Sequence, residues 1–125
     1  MNSKVKSLHI KAERLWDSIM ETASFGRTPK GGICRLTLSD EDRQVRDWLV
    51  KACKFLGCNV TIDEMGNIFA RRPGKDNSLP PIAMGSHLDT QPLGGKFDGI
   101  FGVLSGLEVI HTLNDAGYMT NAPLE

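Results

Sequence analysis

Apolar residues that almost encircle a helix constrain the fold more than any other feature of this sequence. They run from Gly99 to about Ala116, and a helix of that pattern is largely buried. Gly99, Gly102 and Gly106 lie near one another on its surface, and each costs up to ~1 kcal/mol relative to alanine in a helix interior. We therefore expect the glycines to let this helix approach a sheet closely.

Two further helices are predicted upstream. Apolar residues at helical spacing indicate an amphipathic helix over residues 5–24. A second one follows Ser39, which forms a predicted capping box with Asp42. Gly57 is well placed to end that helix in a left-handed conformation.

The predicted strands lie between the second and third helices. "CNVTID" alternates apolar and polar residues, and "NIFARR" is its expected hairpin partner. "IAMGS" is short and apolar on both faces, as expected of a central strand, and "NAPLE" indicates the entry to another strand. This order of helices and strands predicts an α/β fold with a mixed sheet.

Composition excludes several classes of protein. The chain has 125 residues, about one domain, and its 15 Lys and Arg balance its 15 Asp and Glu. The chain therefore has no net positive charge that would favour binding to nucleic acid or to an anionic membrane. Its first twenty residues lack a secretory signal, so we expect a cytoplasmic protein. Three cysteines without C-x-x-C spacing predict reduced thiols and argue against a disulfide framework or a thiolate zinc site.

Three residues that can bind metal lie between "IAMGS" and the buried helix. His87 follows the strand, at the end where open α/β sheets bind ligands. Asp89 is near enough to accept the second N–H of the imidazole, which would fix its tautomer. Asp98 starts the next helix and could bridge two divalent ions. Zinc or manganese suits such nitrogen and oxygen ligands.

Simpler interpretations of the same residues stay open from the spacing alone. His87 and Asp89 could be a hydrogen-bonded loop pair, Asp98 an ordinary helix N-cap, and the glycines packing residues. A phosphate-binding loop is disfavoured, because Thr90 stands where that motif needs glycine and Phe97 where it needs serine or threonine.

The segment "GSHLDTQPLGGKFDGIFGVLSGLEVI" resembles the first metal-binding segment of the M20 metallopeptidase family. Its best match is the amidase and carbamoylase branch, which contains N-carbamoyl-L-amino-acid hydrolases, β-ureidopropionase and allantoate amidohydrolases. The resemblance extends to "GGICRLTLSDEDRQVRDWLV" and "MGNIFARRPG". It implies that residues 1–125 form an incomplete N-terminal portion of a zinc-exopeptidase-like catalytic domain, with its mixed sheet flanked by helices.

The resemblance also implies roles for the three residues. His87 would bind one metal ion, Asp98 would bridge two divalent ions (zinc or manganese), and Asp89 would be the catalytic carboxylate that orients His87. The family's pair of adjacent glutamates, one the general base and one a metal ligand, would lie beyond Glu125. On that basis we expect this chain alone to be inactive.

The implied reaction is metal-dependent hydrolysis of a linear amide or carbamoyl C–N bond. An N-carbamoyl amino acid such as N-carbamoyl-β-alanine would give the amino acid, ammonia and carbon dioxide. The resemblance thus implies a small carbamoyl or ureido substrate as the binding partner, and neither nucleic acid nor a membrane. It also implies that the parent enzyme is a homodimer. The alternative is a non-catalytic remnant or binding module of the same fold.

Overall fold

The computed structural model describes residues 7–125, which form helices on a small mixed sheet. The helices are α1 (Ala12–Thr22), α2 (Asp40–Phe55) and α3 (Ile100–Asp115), and the strands are β1 (Asn59–Ile62) and β2 (Ile68–Arg71). Within residues 7–125, no helix combines the length and apolar character needed to cross a membrane. The predicted α/β class is confirmed.

Helix α3 is buried against the segment that leads to His87. Its side chains at Ile100, Leu104 and Ile110 are at most 4% exposed. A Cβ atom added to Gly102 would lie 2.9 Å from the Cβ of Ser86, and one added to Gly106 would lie 3.4 Å from the Cγ of Met84. The glycines therefore do allow the close approach that the sequence predicts.

The sheet combines antiparallel and parallel pairing. β1 and β2 form the predicted antiparallel hairpin. Just beyond β2, the N–H groups of Arg72 and Leu124 each donate to the other's carbonyl, at 2.9 and 3.0 Å. The segment that contains Leu124 also pairs with Ile82 on its other side, and this pairing is parallel. The N–H of Ile82 donates to the Pro123 carbonyl at 2.9 Å, and the Ile82 carbonyl accepts the N–H of Glu125 at 3.0 Å. The mixed sheet and the strand entry at "NAPLE" are confirmed.

The "IAMGS" segment differs from its predicted role as a central strand. Its backbone pairing extends only from Ile82 to Met84, and the last bond joins the Met84 N–H to the Glu125 carbonyl at 2.9 Å. Ile82 is 61% exposed. A central strand needs partners on both edges. Among residues 7–125 this segment has a partner on one edge, so it stays extended and half-exposed.

Helix α1 is shorter than predicted. It begins at Ala12, and the predicted residues 5 and 6 lie outside the described part of the chain. Lys11 has an extended backbone (φ −95°, ψ 98°), and its N–H donates to Oε1 of Glu108 at 2.9 Å. This bond to a distant helix, which periodicity cannot reveal, sets where α1 starts.

Helix α2 begins and ends as predicted. The Ser39 hydroxyl accepts the N–H of Asp42 at 3.1 Å, and the Asp42 carboxylate accepts the N–H of Leu38 at 3.1 Å. The first bond satisfies an N–H group that the helix start leaves without a partner, and the second ties the helix to the residue before its N-cap. The Ser39 N–H, which a full capping box would bond to Asp42, donates instead to the Leu36 carbonyl at 3.0 Å. After the helix, Gly57 has a φ of 82°, the left-handed conformation that glycine adopts at little cost.

All three cysteines are free thiols, as predicted. Burial raises the pKa of Cys53 to about 12 and also raises the pKa of Cys58. Both therefore remain protonated at neutral pH and act as small apolar residues of the core.

Ion pairs join α1 to α3. Arg14 donates to the buried Glu108 carboxylate at 2.7 Å and to the Asp115 carboxylate at 2.8 Å. The ammonium of Lys11 lies 3.0 Å from the same Asp115 carboxylate. The hydrogen bonds from Arg14 and then Lys11 lower the pKa of Asp115 to about 2.

We predict that Asp115→Asn removes stability only where Asp115 is ionised. Because its pKa in the folded chain lies below the usual 3.8, its contribution is present above about pH 4 and is lost as the pH falls towards 2. The difference in urea midpoint between wild type and variant should shrink over that range. Asp47→Asn, an exposed carboxylate without an ion pair among residues 7–125, is the control. A difference that does not change with pH would contradict the prediction.

Candidate metal centre

His87 lies at the carboxyl end of the extended segment, with about half of its side chain exposed. Its Nδ1 is 2.9 Å from the carbonyl oxygen of Asp89 and 3.2 Å from the carboxylate of the same residue. Two oxygen acceptors beside Nδ1 favour the tautomer that carries its proton there. The Nε2 lone pair is then available to bind a metal ion.

Asp89 is itself held in place from another loop. The hydroxyl of Thr37 donates to its Oδ2 at 2.7 Å, while Oδ1 faces His87. The Thr37 hydrogen bond is the main cause that lowers the pKa of Asp89, and the nearby His87 adds to it. Asp89 is therefore an ionised carboxylate at neutral pH and a strong acceptor for the imidazole N–H.

The loop that carries Asp89 is tied to residues 33–35 by backbone and side-chain hydrogen bonds. Thr90 donates its N–H to the Arg35 carbonyl at 2.7 Å, and its hydroxyl accepts the N–H of Arg35 at 2.9 Å. Further along, the N–H groups of Ile33 and Gly94 each donate to the other's carbonyl at 2.9 Å. Residues 90–94 of the loop between the strand segment and α3 are thus held against residues 33–35.

The Arg35 side chain is buried beneath this loop and is 1% exposed. Its Nε donates to the Leu88 carbonyl at 2.8 Å, and one terminal nitrogen donates to the carbonyls of Phe25 and Thr22 at 2.8 and 3.1 Å. Burial lowers the pKa of Arg35, and the charges of Asp42 and Asp89 act against that effect. Arg35 therefore joins the end of α1 to the segment between His87 and Asp89.

Gly99 forms a tight turn against the imidazole of His87. Its φ of 69° and ψ of −60°, with an Ile100 N–H to Asp98 carbonyl bond of 2.7 Å, describe a γ-turn that is strained for other residues. A Cβ on Gly99 would lie 2.3 to 2.6 Å from three atoms of the His87 ring. Only glycine leaves room for the ring here.

Asp98, the third predicted ligand, directly precedes Gly99 in the sequence. It is exposed, and within residues 7–125 no side chain or backbone N–H donates to its carboxylate. The residue at the N-cap of α3 is Gly99, without a side-chain cap. The alternative interpretation of Asp98 as an ordinary N-cap is therefore wrong, and its carboxylate is available to a ligand.

The residues fit part of a metal site. The described part of the chain contains no group of three or more His, Cys, Asp or Glu side chains that could hold a metal ion. His87 offers an imidazole nitrogen and Asp98 offers carboxylate oxygens, a donor set that suits zinc or manganese. Zinc sites use at least three protein ligands. The metal-ligand roles of His87 and Asp98 therefore remain predictions.

The sequence assigns no role to the residues that support the site. Arg35 and Thr37 lie in a segment that resembles the family, but no motif gives either of them a function. Their partners lie 52 or 53 residues away in the sequence, at Asp89 and Leu88, so no local spacing links them. The resemblance of that segment to the family was the one available signal.

We predict that Gly99→Ala displaces the His87 ring and destabilises the fold. The left-handed φ and the contact with the ring should together cost roughly 2–4 kcal/mol in the free energy of unfolding. Urea unfolding measures that cost, and the NMR signals of the His87 ring report its displacement.

Gly95→Ala is the matched control. A Cβ at Gly95 would meet no atom within 4 Å, so this change should stay within about 0.5 kcal/mol. Equal effects of the two substitutions would disprove the packing of Gly99 on His87.

Comparison with known proteins supports the resemblance. The chain is 49% identical over 115 residues to an N-carbamoyl-L-amino-acid amidohydrolase of Rhizobium meliloti, covering 92% of this chain and 28% of that protein. It is 35% identical over 119 residues to a ureidoglycolate hydrolase of Arabidopsis thaliana, covering 95% of this chain and 25% of that protein. The chain thus spans about a quarter of the length of these curated relatives. No protein-family model matches it.

Solved structures give the same result. An amidase of the hydantoinase/carbamoylase family from Burkholderia vietnamiensis matches with a TM-score of 0.93 and 54% identity, over 94% of this chain and 29% of the other. Aminopeptidase PepT from Bacillus cereus, with a TM-score of 0.67 and 18% identity over 92% of this chain and 36% of the other, shares the fold alone. The chain is therefore homologous to amidohydrolases of the hydantoinase/carbamoylase family over about a quarter of their length, as the motif around His87 predicted.

Proposed function

We propose that this chain supplies part of the metal site of an amidohydrolase that cleaves a linear amide or carbamoyl C–N bond. The observation that carries the proposal is the His87–Asp89 pair, whose imidazole packs on Gly99, the residue that directly follows Asp98 in the sequence. The homology to N-carbamoyl-L-amino-acid amidohydrolases supports the type of reaction. Residues 1–125 would then be an N-terminal portion of the catalytic domain of a longer enzyme.

The residues of the proposed site have distinct roles. Nε2 of His87 and the carboxylate of Asp98 would hold two divalent ions, zinc or manganese, together with ligands from elsewhere in the enzyme. Such ions supply Lewis acidity, which activates water and polarises a carbonyl oxygen. Asp89 keeps the His87 proton on Nδ1 and holds the orientation of the ring, and the Thr37 hydrogen bond holds Asp89 in position.

The proposed substrate is a small molecule that carries a carbamoyl or ureido group. The names of the relatives refer to N-carbamoyl-L-amino acids and to ureidoglycolate, which share an N–CO–NH2 group. Addition of water to an N-carbamoyl amino acid would give the amino acid, ammonia and carbon dioxide. The complete enzyme is proposed to be a cytoplasmic homodimer, on the basis of the resemblance alone.

Metal titration of the 125-residue chain tests the site directly. We expect zinc or manganese binding in calorimetry that weakens at least about tenfold in a His87→Ala, Asp98→Ala double variant, because both proposed ligands are lost. His9→Ala removes an exposed histidine outside the site and should leave binding unchanged. Absence of binding, or binding that is equal in the double variant, would show that His87 and Asp98 do not form a metal site in this chain.

A chimera tests the reaction. This chain would replace the matching stretch of the Rhizobium meliloti amidohydrolase, to which it is 49% identical. We expect hydrolysis of N-carbamoyl-L-amino acids that requires added zinc or manganese and is abolished by His87→Ala, with Gly95→Ala as the active control. A folded chimera without activity would contradict the proposal and favour the alternative, a non-catalytic binding module of the same fold.

A further inference from the structure

Asp98 and Gly99 form the one Asp-Gly pair in the amino-acid sequence, and no Asn-Gly pair occurs. An aspartate followed by glycine can cyclise, because glycine has no Cβ to block the approach of its nitrogen to the neighbouring side-chain carboxyl carbon. The cyclic product is a succinimide, which water reopens to aspartate or to isoaspartate. In a folded protein the reaction depends on how firmly the two reacting atoms are held.

The carboxyl group of Asp98, which would be attacked, is not held by the fold. Asp98 is exposed, and its side chain has no hydrogen bond or ion pair with any of residues 7–125. The nearby Asp89 differs, because its carboxylate accepts the hydroxyl of Thr37 at 2.7 Å. The Asp98 side chain can therefore rotate towards its own main chain without loss of a bond.

The nitrogen of Gly99, which would attack, is also without a hydrogen bond. Helix α3 begins at Ile100, so the Gly99 N–H precedes the helix, and it has no acceptor in the part of the chain that the structure describes. The next two N–H groups are paired, that of Ile100 with the Asp98 carbonyl at 2.7 Å and that of Phe101 with the Phe97 carbonyl at 3.0 Å. Attack by the Gly99 nitrogen therefore breaks no hydrogen bond.

Asp115 and Ala116, at the other end of α3, have the opposite arrangement. The Asp115 carboxylate accepts a hydrogen bond from Arg14 at 2.8 Å and lies 3.0 Å from the ammonium of Lys11. The N–H of Ala116 donates to the Thr112 carbonyl at 3.1 Å. Both reacting atoms are held here, so this pair is an internal control.

We propose that Asp98 and Gly99 are a site of spontaneous isomerisation in the folded chain. The Gly99 nitrogen forms a bond to Cγ of Asp98. The carboxyl group loses a hydroxyl and the nitrogen loses its proton, and these leave together as water. Water then adds to one of the two ring carbonyl carbons and breaks its bond to the nitrogen. When that carbon is the original main-chain carbonyl, the product is isoaspartate.

Isomerisation would change the geometry beside His87. The main chain of isoaspartate passes through Cβ and Cγ and is longer by one methylene group, while its carboxylate is attached directly to Cα. Gly99 would then move relative to the His87 ring, although a Cβ on Gly99 would lie only 2.3 to 2.6 Å from that ring in the unmodified chain. A divalent ion on the Asp98 carboxylate would occupy the group under attack and slow the reaction. That last effect rests on the proposed function, whereas the isomerisation does not.

Prolonged incubation of the chain at neutral pH, with a chelator and in water labelled with heavy oxygen, tests the proposal. Each ring opening adds one heavy oxygen atom at residue 98, and electron-transfer mass spectrometry distinguishes isoaspartate from aspartate. A synthetic peptide of residues 93–103 gives the rate without a fold. We expect the rate at Asp98 in the folded chain to lie within about tenfold of the peptide rate. Asp98→Glu, which needs a larger ring to cyclise, should take up no label.

Two controls establish that the reacting chain is folded. Asp115 should react at least about tenfold more slowly than in its own peptide, residues 110–120, because both of its reacting atoms are held. The Thr90 amide, which donates to the Arg35 carbonyl at 2.7 Å, should stay protected from hydrogen exchange throughout the incubation.

The outcomes separate this inference from the proposed function. A rate at Asp98 more than about tenfold below that of the peptide would overturn the inference, because the reaction would then need unfolding of the chain. Loss of protection at Thr90, or an Asp115 rate equal to that of its peptide, would overturn it too. Isomerisation at the expected rate that zinc or manganese does not slow would support the inference and contradict the metal-ligand role of Asp98.

Discussion

Helix α3 can lie against the segment before His87 only because glycines face that segment. Gly102 and Gly106 bring the helix within van der Waals distance of Ser86 and Met84, and Gly99 gives the His87 ring its place at the helix start. Any larger side chain at Gly99 or Gly102 would clash with this segment. The cost of glycine in and beside a helix is thus offset by packing that fixes a histidine beside a carboxylate.

A second constraint comes from the loop that precedes α2. Its residues pair with the loop after His87, and the buried guanidinium of Arg35 joins carbonyls from α1 and from Leu88. Burying a cation is costly unless hydrogen bonds compensate, and three carbonyl oxygens do so here. The His87–Asp89 geometry is therefore supported from both sides, by α3 and by this loop.

The homology covers only part of each relative. The relatives are about four times longer than the stretch they share with this chain. In the described residues, the segment 82–84 pairs with residues 123–125 along one of its edges. The half-paired segment and the absence of a complete metal-ligand group in residues 7–125 are consistent with homology over about a quarter of the relatives' length.

Features that depend on neighbours in the chain can be predicted from the amino-acid sequence. Helices α2 and α3, the hairpin and the His87–Asp89 pair follow from periodicity, capping, turn glycines and a two-residue spacing. The start of α1 could not be predicted in this way, because Lys11 bonds to a carboxylate 97 residues away in a contact that exists only in the folded chain. Tertiary structure also decided that Arg35 and Thr37 support the site and that "IAMGS" is half-paired. Such contacts join distant residues, and hydrogen bonding across that distance leaves no periodic pattern in a single sequence.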